Sequence, residues 1–173
     1  MSEPKFGVGV ILGKDCKIAE DVVIWNYVVI GDNTVIGKGT KIGSFCDIAR
    51  DVKIGENTTI QAHVTVSTGC EIGDNVFVGP NTTLLNDRYP CSKKLRPVKI
   101  KNNVIISGGV MIMPDVIIYE GAIVAGAAVV TSDIQKDLVV KSPGIPARPF
   151  ITKDEYLRKK MWYEAGANKP HYE

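Results

Sequence analysis

At 173 residues the chain has the length of one domain, and with 45% hydrophobic residues it can build a real core. Its 21 basic and 19 acidic side chains leave a formal net charge of +2, so bulk electrostatics give it no reason to bind nucleic acid. The opening Met1-Ser2-Glu3-Pro4-Lys5 starts no signal peptide, and no apolar run approaches the roughly 18 residues of a membrane span, so the expectation is a soluble cytoplasmic protein with no membrane contact.

The chain is then organised by a six-residue period. From Leu12 through Ile18, Ile24, Ile30 and onward to Leu84, every sixth residue is Ile, Leu or Val without exception. The frame resumes at Ile100 and runs through Ile106, Ile112, Ile118 and Val124 to Val130. Four residues beyond each aliphatic stands a small or β-branched one: Cys16, Val22, Val28, Thr34, Thr40, Cys46 and so on to Thr82. Glycine often follows the aliphatic, as at Gly31, Gly43 and Gly79, and pairs such as Asp32-Asn33 and Glu56-Asn57 bring turn chemistry.

Six residues match no helical period, but they hold a short strand and a turn. Three such units close a triangular coil of 18 residues, and coils stack at the inter-strand spacing of about 4.8 Å. The chain offers about six coils, and the terminal ones need caps. Cys16, Cys46 and Cys70 fall on the small inward position and are expected as buried space-fillers; the four cysteines form no CxxC pair. Cys91 lies off the frame.

Two segments leave the period. Residues 85–97 form a polar, basic insert, Leu85-Asn86-Asp87-Arg88-Tyr89-Pro90 and onward to Arg96, expected as one ejected loop on a rigid scaffold. The coil is expected to end near Ile134, and the proline-rich stretch 141–149 to lack regular structure. Thr152-Lys153-Asp154-Glu155 then reads as a capping box, with Ile151 and Tyr156 spaced as a hydrophobic staple, opening a short helix over about 153–165. The residues to Glu173 read as frayed. The division is a coil domain over 1–151 and a C-terminal helix and tail over 152–173.

The coil resembles the hexapeptide-repeat acyltransferases. So does its close, where Val124-Ala125-Gly126-Ala127-Ala128-Val129-Val130-Thr131-Ser132 is followed by Gly144-Ile145-Pro146-Ala147-Arg148. More narrowly, Gln61-Ala62-His63 and Asn86-Asp87-Arg88-Tyr89-Pro90 resemble N-acetyltransferases of nucleotide-linked amino sugars. The resemblance implies an all-β, single-stranded left-handed parallel β-helix with one ejected loop and a short C-terminal α-helix. It also implies a homotrimer that transfers an acetyl group from acetyl-CoA, without a metal, to the amine of a dTDP- or UDP-linked sugar in surface-glycan (lipopolysaccharide) biosynthesis.

Such chemistry needs a proton acceptor, or a means of selecting the neutral amine, and donors for the developing oxyanion. His63 is the only histidine within the repeats. Ile60 and Val64 take the inward positions, so His63 falls on a corner and points outward, as a base or as a binding group. Asn86, one coil up and one corner round, is the second catalytic candidate; Asn86 or Asp87 holds the amine, and Asp87 alternatively pairs with Arg88 and shapes the loop. Gln61, Arg88 and Tyr89 join Asp87 as substrate-binding candidates. The resemblance assigns the acetyl-CoA groove to Gly108, Gly126, Thr131, Ser132, Lys141 and Arg148, and places it between adjacent subunits. Alternatives are an O-acetyltransferase, which needs a stronger base, and a non-catalytic scaffold. A zinc-dependent carbonic anhydrase on the same coil would need three histidines, and the chain has two.

Overall fold

The computed structural model describes residues 2–91, 93–141 and 148–164. Strands of two residues recur every six, from Lys5–Phe6, Ile11–Leu12 and Lys17–Ile18 to Ile123–Val124 and Val129–Val130. They pair in parallel with the strand one coil away, as in Val29 with Asp47 and Thr59 with Phe77. The pairing sorts them into three sheets, the faces of a triangular prism. The first face starts with Lys5–Phe6, the second with Ile11–Leu12 and the third with Lys17–Ile18. This is an all-β parallel solenoid, consistent with the left-handed β-helix expected. Six coils are complete, and a seventh is closed on its third side by the bridge of Ile134 to Ile118. The frame also begins one unit earlier than Leu12, at Phe6.

The core is the column of inward aliphatics, with Ile24, Ile42, Ile60, Ile106 and Ile118 all buried. Their outward strand neighbours are mostly exposed or half-buried, as two-residue strands with alternating faces require. Cys46 and Cys70 are buried as expected, and burial pushes the Cys70 thiol up to about 11. Cys16 is only half-buried, a correction that follows from its place in the first coil, which nothing among the described residues covers from below. Cys91 is exposed in the loop.

Inward threonines bring hydroxyls into this core, and each finds a backbone partner. Thr34, Thr40, Thr58 and Thr82 are fully buried and donate to the carbonyls of Ala49, Gly55, Gly73 and Ser107. Thr40 and Thr58 also accept: the Thr58 amide donates to Thr40 Oγ1 at 3.1 Å and the Val76 amide to Thr58 Oγ1 at 3.0 Å. These hydroxyls therefore tie successive coils together as well as filling space.

The insert leaves the coil where expected. Partners are 18 residues apart along the corners below it and 28 apart across it. The Leu85 amide still donates to Ile112 O, and the Arg96 amide closes the loop on Asn86 O at 2.6 Å. Arg96 then pairs with Asp115 at 2.9 Å, anchoring the return.

The stretch expected to be irregular is partly regular. Leu138–Lys141 continues the first face, and Arg148–Thr152 pairs with it antiparallel. Pro149 is accommodated because this second strand is the sheet edge, where no further strand calls on its missing amide. The helix runs Lys153–Glu164, and Thr152 Oγ1 accepts the Glu155 amide at 3.3 Å, the expected cap. Lys153 fixes the helix start to the last coil, with Nζ 3.2 Å from Asp137 Oδ1. The staple side chains and the tail from 165 lie outside what is described. No helix among the described residues is long and apolar enough to cross a membrane.

Replacing Thr58 by Val keeps its volume but leaves the Gly73 carbonyl and the Val76 amide without their partner. Urea unfolding is expected to show a loss of about 1–3 kcal/mol. Thr65→Val, on the outward side of a strand, should stay within about 0.5 kcal/mol. Equal effects would refute the hydroxyl bridge.

Candidate functional site

Each coil turns its corners through a residue of positive φ. At the corners between the second and third faces and between the third and first, every such residue is Asn, Asp or Gly, among them Asn33, Asp51, Asn57 and Asn75. These types tolerate the left-handed region best. The corner between the first and second faces departs from this rule. Its column reads Gly9, Tyr27, Phe45, His63, Asn81, Gly109 and Ala127, all with φ between 55° and 70°.

Tyr27, Phe45 and His63 form a stack of rings. The Tyr27 and Phe45 centroids are 5.4 Å apart at an interplanar angle of 18°. Phe45 and the His63 imidazole are 5.0 Å apart at 8°. All three residues are exposed. Gly9 closes the column below, since a Cβ there would lie 2.6 Å from the Tyr27 ring. Each stacked pair contributes about 0.5–1.5 kcal/mol, comparable with the roughly 1–2 kcal/mol that a left-handed backbone costs an ordinary residue. Two such pairs stand against three left-handed backbones, so the stack offsets part of the strain of building it, and it limits the rotation of His63.

The sequence candidates divide between two corners. Gln61, His63, Gly108 and Gly126 share the first-to-second corner. Gly108 and Gly126 lie on coils above His63, and the missing side chains keep that edge open: a Cβ on either would stand 3.2 Å from a carbonyl oxygen of the neighbouring coil. No hydrogen bond among the described residues engages their amides. Small residues with free amides fit a pantetheine arm, which needs a narrow groove and backbone donors.

Asn86, Asp87, Arg88 and Tyr89 leave the second-to-third corner, and Thr131 and Ser132 stand exposed two coils above on that corner. Asn86 Nδ2 donates to Thr68 O at 2.9 Å, which holds the side chain against the coil and keeps Oδ1 as its acceptor. Asp87 Oδ1 accepts the Tyr89 amide at 3.0 Å, a local turn that shapes the loop. Arg88 and Tyr89 are exposed. A whole face separates His63 from Asn86, so one chain does not bring them together. Lys141 is a third location, at the end of the first face, with Arg148 opposite it across the antiparallel pair.

Sequence reasoning missed Tyr27, Phe45 and the nearby Trp25. The signal was present: Tyr27, Phe45 and His63 are spaced by one coil and occupy the same place in the repeat. Turn chemistry at a corner position does not report ring stacking.

Phe45→Asn supplies a side chain that accepts positive φ, so the coil should remain folded. The carbon-bound ring protons of His63, shielded by the Phe45 ring, should move downfield in the NMR spectrum of this variant. Unchanged resonances would show that the stack does not persist in solution.

Known proteins place this geometry. The pattern described as bacterial transferase hexapeptide (six repeats) matches residues 33–68. A putative acetyltransferase of Schizosaccharomyces pombe is 45% identical over 53 residues, 30% of this chain and 26% of that protein, so the match spans about a quarter of the relative's length. Among solved structures, a hexapeptide-repeat acetyltransferase of Vibrio cholerae complexed with acetyl coenzyme A is 27% identical, with a TM-score of 0.54 over 71% of this chain and 69% of that one. A UDP-N-acetylglucosamine acyltransferase of Francisella novicida shares the fold, at 20% identity and a TM-score of 0.65 over 92% of this chain and 70% of that one. By its repeat, its coil and these likenesses, the chain is a parallel β-solenoid of six-residue repeats that resembles the hexapeptide-repeat acetyltransferases and acyltransferases.

Proposed function

We propose that this protein is an acetyl-CoA-dependent N-acetyltransferase acting on the amine of a nucleotide-linked sugar, with its active site between subunits of a homotrimer. The observation that carries the reading is the division of the candidates between two corners. One corner holds His63 with the open edge at Gly108 and Gly126; the other holds the Asn86 loop with Thr131 and Ser132. Each is half of a site. A closed three-fold ring, in which the first-to-second corner of one subunit faces the loop of the next, makes three whole sites from these halves. The likeness to an acetyltransferase solved with acetyl coenzyme A supports the donor, and a UDP-N-acetylglucosamine acyltransferase shares the coil.

In this reading acetyl-CoA supplies the acyl group as a thioester. Asn86 Oδ1 accepts a hydrogen bond from the sugar amine and aims its lone pair at the acyl carbon. The new C–N bond forms as the C–S bond breaks. His63, its plane held by Phe45, accepts the proton that the amine loses, and the thiolate leaves to be protonated as free CoA. The free amides of the Gly108 and Gly126 edge hold the donor's arm. Thr131, Ser132, Lys141 and Arg148 serve its distal part, and Gln61, Asp87, Arg88 and Tyr89 bind the nucleotide sugar. The product then enters a surface glycan.

A panel of UDP- and dTDP-linked amino sugars with acetyl-CoA, read by free-thiol release, tests the activity. His63→Ala and Asn86→Ala are each expected to lose most of it. Mixed trimers assembled from the two variants should recover it in about a quarter of the sites, because only a His63 corner facing an Asn86 loop is whole. Mixtures as inactive as the parents would show that the site lies within one chain.

A further inference from the structure

Beside the His63 corner, on the first face, lies a hollow that none of the residues above explains. It is walled by Trp25, Lys41, Ser44, Thr59 and Gln61 over a floor at Gly43. Trp25, Gly43 and Gln61 occupy the same place in three successive coils. The glycine in the middle leaves a gap between the indole below and the glutamine above. Two coil spacings make that gap roughly 9.6 Å. A flat ring stacked on the indole at about 3.5 Å fills the lower part and leaves room for the Gln61 amide to reach its edge.

Two features distinguish this hollow from the surrounding surface. Trp25 is 56% exposed, at a place where the coils above and below carry glycine, so much of a large apolar ring stands in water. Lys41 projects from the adjacent strand, its Cα paired with those of Val23 and Thr59. It makes no ion pair among the described residues, whereas Lys53 and Lys99 share Glu71 and Lys38 meets Glu20 and Asp21. An exposed indole and an unpaired ammonium together fit a ligand with a planar ring and an adjacent anion. The hydroxyls of Ser44 and Thr59 add hydrogen-bonding partners for its polar edge.

We infer that this hollow binds the nucleoside diphosphate of the acceptor, the base stacking on Trp25 with its edge toward Gln61 and the diphosphate meeting Lys41. The inference rests on the acceptor being a nucleotide sugar, and it adds where the nucleotide is held. The amino sugar then extends from the hollow toward His63, which follows Gln61 by two residues on the same corner.

The probes are UDP and dTDP alone, titrated by calorimetry into the full protein, and the acetylation assay with the nucleotide sugar that the panel identifies. Trp25→Ala and Lys41→Ala should each weaken UDP or dTDP binding and raise KM for the acceptor roughly ten- to hundredfold. Both should leave kcat and the KM for acetyl-CoA within about twofold, and Trp25→Phe should recover part of the loss. An active parent whose acceptor KM is unmoved by either variant overturns this inference and leaves the acetyltransferase reading standing. Binding of UDP or dTDP that both variants abolish, in a protein that acetylates no nucleotide sugar, supports the hollow as a nucleotide site and overturns the proposed reaction. Absence of both binding and transfer overturns both. Circular dichroism and trimer mass are expected to be unchanged in all three variants, since the substituted side chains are exposed.

Discussion

Each coil gives its strand amides and carbonyls to the coils above and below, and this lateral pairing holds the register of the whole molecule. The strands are only two residues long, so no single strand is stable by itself; stability comes from the stack. The pairing repeats at one coil and does not slip, because a shift of one residue would turn every inward Ile or Val to water and every outward residue into the core. Residues that share a place in the repeat are therefore forced into columns. The aliphatic column is the core, the threonine column carries hydroxyl bridges through it, and the corner columns carry whatever the chain displays.

The corner columns show how a departure from the repeat is carried by such a scaffold. A corner needs a residue in the left-handed region, and Asn, Asp and Gly meet that need at the smallest cost. Two corners of the prism follow that economy throughout. The third accepts Tyr27, Phe45 and His63, whose rings recover through stacking part of what their backbones lose. Strain of this kind, kept on one corner and absent from the other two, is what a site superimposed on a structural repeat looks like. The same corner bears the exposed Trp25 and the open edge at Gly108 and Gly126. The ejected loop at Asn86 is the other departure from the repeat, and it stands one face away.

Those two departures account for the dependence of the proposed activity on assembly. A prism keeps its corners apart by construction, and no side-chain rotation lets His63 reach Asn86 across a sheet. In the proposed trimer a ring of prisms joins corner to loop without deforming either, so the rigidity that separates the halves in one chain would align them between chains.

The six-residue period determined the fold, the core column, the inward cysteines, the outward placement of His63 and the position of the loop. It did so because each follows from counting along the chain against a fixed backbone register. The proline-rich end departs in part from its composition: Arg148–Thr152 is a strand, since an edge position tolerates Pro149, and whether a segment lies at an edge depends on what the rest of the chain covers. Tyr27 and Phe45 were spaced one coil apart for anyone to count, yet that they stack on His63 depends on ring orientation, which spacing does not set. The Trp25–Lys41–Gln61 hollow arises from three coils and two strands brought side by side, with a glycine between two large side chains. A local pattern fixes which way a residue points; only the stacked coils decide what it meets there.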